Sequence, residues 1–297
     1  MTSPSGAQHA ISSGGYRAVV TESGATLRHL SYDGRDLVVG LAEEAVPAGG
    51  RGQVLVPGPK RIRDGRYSFA GASQQLGLSE AARHNASHGL VRWASWQRVD
   101  GDERGVTMGL RLMAQSGYPW SLDLRLAYTL DGDGMSAELT ATNLADSPAP
   151  FACGFHPYLT AGSVVVDADV LTLPVDDRLV LDPERKLPTG EEQPVTGTAY
   201  DFTGGRPVGD VVLDDPFRRT DGSVTLVGPD GRGVELWADD AFGWLQVYSA
   251  DDTAAPRSAL AVEPMTAPPD AFNSGTDLVL LEPGGVFRGR WGIRRLG

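Results

Sequence analysis

Short runs in which apolar and polar residues alternate, closed off by glycine, proline or aspartate, recur along the whole chain. Ser121-Leu122-Asp123-Leu124-Arg125-Leu126-Ala127-Tyr128 sets an apolar side chain at every second position, meets a turn at Asp131-Gly132-Asp133-Gly134, and returns through Ser136 to Ala141. A period of two places one face of each run on a core and the other toward water or a second layer. Thr26 to Tyr32 meets Asp33-Gly34 and resumes at Arg35 to Val39, a hairpin signal because glycine tolerates the positive φ of a tight turn. Further strands are predicted at Ser163–Val166, Val224–Val227, Val234–Trp237, Leu245–Tyr248, Leu260–Val262 and Leu278–Leu281. No stretch between them reads as a long crossover helix. The pattern therefore predicts an all-β protein, a large antiparallel β-sandwich, over a parallel α/β sheet.

Composition sharpens this picture. The 38 glycines and 20 prolines make up about a fifth of the 297 residues and interrupt nearly every window in which a long helix could form. No linker or fixed-period repeat is evident, so residues 15–297 are expected to form a single domain behind a flexible tail over 1–14. The proline-rich pieces at 182–194 and 264–269 are expected to be loops, the second with a short helical turn. With 26 Lys and Arg against 38 Asp and Glu, the net charge of -12 argues against a nucleic-acid partner. Cys153 is the only cysteine, which excludes an intramolecular disulfide or a zinc site built on several thiolates and suits a reducing cytosol. The N-terminus lacks the basic and apolar stretches of a secretory signal, and no apolar run approaches membrane-spanning length. A cytoplasmic monomer or homodimer with no membrane partner is expected.

The chemistry-bearing residues are few. His9 falls in the expected tail and His29 within a strand pattern. His84 and His88 are four apart, but Asn85, Ser87 and Gly89 oppose the helix that would align them as ligands, so no metal site is expected. Asp131-Gly-Asp133 is not a calcium loop, because Met135 stands at the next ligand position. The serine-hydrolase elbow, the P-loop and the dinucleotide-binding glycine pattern are all missing. His156 and Glu263 each precede a proline, which pushes them to extended backbone and predicts that each ends a strand. Taken singly, each reads more readily as a satisfied core histidine or a solvated loop glutamate than as a catalytic group.

Their neighbourhoods carry more. Leu260-Ala-Val-Glu263-Pro-Met-Thr-Ala-Pro-Pro-Asp-Ala-Phe-Asn273 and Phe151-Ala-Cys-Gly-Phe-His156-Pro-Tyr-Leu159 resemble segments of the aldose 1-epimerase (galactose mutarotase) family. Arg61 to Phe69, His88-Gly89-Leu90 ahead of Trp93, Leu213 to Phe217 and Leu245 to Tyr248 are similar to further family segments and come in the family's order. The resemblance implies a large antiparallel sandwich that interconverts the α and β anomers of an aldopyranose without a cofactor. It implies Glu263 as general base toward the C1 hydroxyl and His156 as general acid toward the ring oxygen. Such a glutamate is ionised at neutral pH, and a histidine can be tuned to hold a proton beside acidic neighbours.

By the same resemblance Arg61, His88, Asp214 and Gln246 would hold sugar hydroxyls, with Asp215 an alternative to Asp214. Trp93, Tyr158 and Trp237 would form an apolar wall or else pack in the core. One position departs from the family pattern: Lys60 stands where the residue before this arginine is usually asparagine. Lys60 either points to solvent or, beside Arg61, favours an anionic sugar bearing a sulfonate, carboxylate or phosphate. A non-catalytic carbohydrate-binding protein on the same fold is a further alternative, disfavoured by the joint presence of Glu263 and His156.

Overall fold

A computed structural model describes residues 3–297. The alternating runs form two large antiparallel sheets, of nine and eight strands, packed face to face. In the nine-stranded sheet Leu122–Leu130 and Met135–Asn143 pair so that Leu124, Leu126 and Tyr128 lie opposite Ala141, Leu139 and Ala137, all buried. The turn between them is held by the Asp131 carboxylate, which accepts the N–H groups of Asp133 and Gly134. Val286–Leu296 continues this sheet beside Met135–Asn143. Trp291 on that strand meets Phe155 of the eight-stranded sheet with ring centroids 5.0 Å apart, which closes the sandwich predicted from the period of two.

The eight-stranded sheet carries the order Pro188–Pro194, Val175–Leu181, Asp214–Arg219, Trp244–Tyr248, Leu260–Met265, Gly154–Phe155 and Val54–Leu55, with Tyr158–Leu159 also pairing Leu260–Met265. Leu260–Met265 is buried at every position because both of its faces are covered. Leu260 and Val262 join the main core, whereas Ala261 and Glu263 point the other way, out of the sandwich. Two small ribbons, Arg61–Arg63 with Asn85–Ser87 and Arg66–Phe69 with Ala72–Gln75, are further elements of the chain. Several residues of the first ribbon and the loops beside it line the cavity on that outward face.

Several local expectations change. The tail expected over 1–14 contains the strand Gln8–Ser13, paired along its length with Tyr16–Thr21, so His9 lies in a strand. Ser163–Val166 forms no strand: with no partner to accept its ladder bonds it bends into a short 3-10 turn, leaving Val164 89% exposed. Half of the loop expected at 182–194 is the edge strand Pro188–Pro194, a position where proline's missing N–H costs no ladder bond.

The strand that bears Glu263 does not end there. It runs on through Pro264 to Met265, and the short helical turn expected within 264–269 comes later, at Ala271–Ser274. Val262 and Thr266 donate to the carbonyls of Pro157 and Cys153 on one side, and Pro264 shares their parity. Its missing N–H therefore faces the gap where the chain breaks pairing between Phe155 and Tyr158.

Candidate active site

Antiparallel register decides which side chains share the outward face of the eight-stranded sheet. Glu263 lies opposite Gln246 and Gln246 opposite Pro216; in the next row Ala261 lies opposite Tyr248 and Tyr248 opposite Asp214. Directly opposed residues point to one side. Asp214 thus shares a face with Glu263, while Asp215 has the parity of the core residue Phe217 and binds Arg178 at 2.8 Å instead. That settles which aspartate faces the site.

The cavity over this face encloses about 310 Å³, near the lower end of the range for small-molecule sites. Glu263 is 0% and His156 4% exposed. His156 Nε2 stands 3.3 Å, and Lys60 Nζ 3.5 Å, from Glu263 Oε1. Neither carboxylate oxygen has a hydrogen-bond partner, nor has Nδ1 of His156 or His88. The His156 ring stacks on Tyr158, with centroids 5.1 Å apart and planes 8° apart, and His88 meets it edge-on at 5.5 Å. Backbone bonds fix its height: His156 N–H donates to Gln53 O, and Gly52 N–H donates to His156 O. Gly50 arches over the imidazole, and the Cβ it lacks would lie 2.4 Å from His156 Cδ2.

Burial pushes the Glu263 carboxyl up to about 7, against the pull of Lys60, which favours the ionised form. The histidines move the other way. Burial, and after it the positive charge of Lys60, hold both His156 and His88 well below the ordinary imidazole range. The expectation that acidic neighbours keep a proton on His156 is therefore corrected: with the site dry and Lys60 close, the neutral ring is favoured.

Lys60 does not point to solvent. It is buried and faces Glu263, from a backbone with φ +56°, a region that asparagine tolerates better than lysine. Arg61 lines the cavity with its guanidinium forked on Glu80 at 2.7 and 2.9 Å, and Arg83 pairs with the same carboxylate. His88 and Asp214 also line it. Gln246 does not reach the wall: fully buried, it donates to Asp214 Oδ1 at 3.0 Å and stands behind that carboxylate.

Of the three aromatics, only Tyr158 borders the cavity. Trp93 is 56% exposed, and Trp237 lies in the other sheet near Arg290. Glu80, Arg92, Tyr248 and Asp252 line the cavity without having been singled out in the sequence. Tyr248 closes the matched segment Leu245 to Tyr248 and Arg92 stands four residues after His88, whereas nothing local distinguishes Glu80 or Asp252.

The architecture is that of the mutarotase-like β-sandwiches. A crystal structure of a GalM/aldose epimerase homologue from C. elegans superposes with a TM-score of 0.86 at 21% identity, covering 98% of this chain and 99% of that one. Residues 8–294 match the family model of aldose 1-epimerase, and the chain belongs to that family of sugar epimerase enzymes. It is 34% identical over 288 residues to an uncharacterized protein of Escherichia coli, YihR, covering 96% of this chain and 92% of that one. It is also 29% identical over 236 residues to the maltose epimerase of Levilactobacillus brevis, covering 70% and 68%.

Proposed function

We propose that the protein is a mutarotase that interconverts the α and β anomers of an aldopyranose, with Glu263 and His156 exchanging protons with its anomeric end. The observation that carries this reading is a carboxylate and an imidazole in contact on a buried floor, both lining a sugar-sized cavity and both with polar atoms that have no partner. In the reacting arrangement the pair holds one proton, on His156. Glu263 takes the proton of the C1 hydroxyl while His156 gives its own to the ring oxygen; the C1–O5 bond breaks, leaving an aldehyde and a C5 hydroxyl. Rotation about C1–C2 presents the other face of the aldehyde. Closure then returns both protons.

Ring opening converts an ion pair into neutral Glu263 and neutral His156, the arrangement this dry site favours for both groups. Desolvation therefore assists the transfer instead of opposing it. His88, Arg61 and Asp214 offer donors and acceptors to the remaining hydroxyls. No membrane-crossing helix occurs among the described residues.

The test is anomer exchange on freshly dissolved α-glucose and α-galactose, followed by polarimetry or magnetisation transfer. Glu263→Gln and His156→Asn should each slow it at least about a hundredfold with the circular dichroism spectrum unchanged. Near-normal exchange in either folded variant would reject the assignment.

A further inference from the structure

The other cations of the site are engaged. Lys60 faces Glu263, Arg61 and Arg83 share Glu80, and Lys186 holds Asp214 at 3.1 Å. Arg92 is the exception. Its residue is 9% exposed, it lines the cavity, and its guanidinium lies 4.2 Å over the Trp93 ring, yet among the described residues its side chain makes no ion pair or hydrogen bond. The only carboxylate whose charge reaches it is Glu80, already forked by Arg61.

Arg92 is also held in place. Gln53 Nε2 donates to its carbonyl at 3.0 Å, and the indole N–H of Trp93 donates to Pro47 O at 3.3 Å. A guanidinium with one face on an indole presents its N–H fork edgewise, the geometry that grips sulfonate, phosphate or carboxylate, and the fork of Arg92 opens on the cavity with no protein partner.

We infer that the substrate is an aldose carrying a strong anionic group on an exocyclic carbon, and that Arg92 receives that group. The inference rests on reading this cavity as the mutarotase site. It also moves the anion-binding role away from Lys60, the residue whose type first suggested it, because Lys60 is committed to Glu263.

Two measurements separate the inference from the reading beneath it. The first is calorimetric binding of 1,5-anhydroglucitol 6-phosphate and its 6-sulfonate analogue against 1,5-anhydroglucitol itself, compounds that have no anomeric hydroxyl. The anions should bind at least about tenfold more tightly, and Arg92→Gln should remove ten- to about a hundredfold of that advantage. Equal binding of charged and neutral compounds by the unsubstituted protein would overturn the inference, whatever the enzyme turns over.

The second is kcat/KM for anomer exchange of glucose 6-phosphate, 6-deoxy-6-sulfoglucose and glucuronate relative to glucose. At least one anion should exceed glucose, and Arg92→Gln should collapse that ratio; the preferred anion identifies the group. A glucose preference at every ratio would also overturn the inference. Tight, Arg92-dependent binding with no exchange of any sugar would leave the anion site standing and reject the mutarotase reading.

Discussion

Lys60 is placed to tune the protonation of the proposed Glu263–His156 pair. It stands 3.5 Å from Glu263, and its charge stabilises ionised Glu263 while opposing protonated His156. The proposed mechanism needs one proton shared between the pair, and burial places the loss of that proton from Glu263 at about 7. The value of kcat/KM should accordingly fall about tenfold per pH unit above that point. Replacing Lys60 by Met strengthens proton binding by both partners, so this basic limb should move up by roughly one unit or more. A pH–rate profile compares the two; an unmoved limb would mean that Lys60 does not tune the pair. The residue type alone announced a cation, whereas its target emerged only from the fold.

Elements position these groups through backbone shape as much as through side chains. The loop at Gly49–Gly52 crosses over His156, and Gly50, with φ +74°, has no room for a side chain there: its Cβ would meet the imidazole at 2.4 Å. Gly50→Ala should displace His156 from Glu263 and cut anomer exchange by at least about tenfold, because small misplacements of a reacting group are expensive. Exchange rates with an unchanged melting temperature would check that the effect is local; a wild-type rate would show that the loop yields. The strand Leu260–Met265 acts similarly. It stays paired through Pro264 because the proline falls where the neighbouring strand is interrupted, so the pre-proline geometry of Glu263 was legible while the continuation of the strand was not.

For the molecule as a whole, burying a titrating site links function to stability. His88 and His156 have folded pKa values below the unfolded value near 6.5, so the stability they contribute is complete above that pH and is lost as pH falls. Glu263 works oppositely: its raised pKa favours the folded state below about 4.5 and that contribution is lost as pH rises through about 7. Between pH 5 and 6 the two histidines therefore make stability rise with pH, while Glu263 works against that rise. His88→Asn removes one histidine from this balance and should lower the slope of stability with pH, by at most about 1.4 kcal/mol per pH unit. Urea unfolding at the two pH values measures it; identical slopes would show that His88 takes up its proton in the folded protein.

The sequence by itself determined the all-β class and the main hairpins, because period-two burial and turn chemistry are local, while the segments that carry Glu263, His156, Arg61, His88 and Asp214 were marked by their resemblance to the aldose 1-epimerase family. Tertiary structure decided the rest. Which of Asp214 and Asp215 faces the cavity depends on pairing with Trp244–Tyr248, about thirty residues away, since a shift of one residue turns every side chain to the opposite face. Whether a charged residue is solvated, paired or left waiting for a ligand depends on which distant strands close over it. No local pattern could show that Lys60 meets a carboxylate two hundred residues on, or that Arg92 meets none.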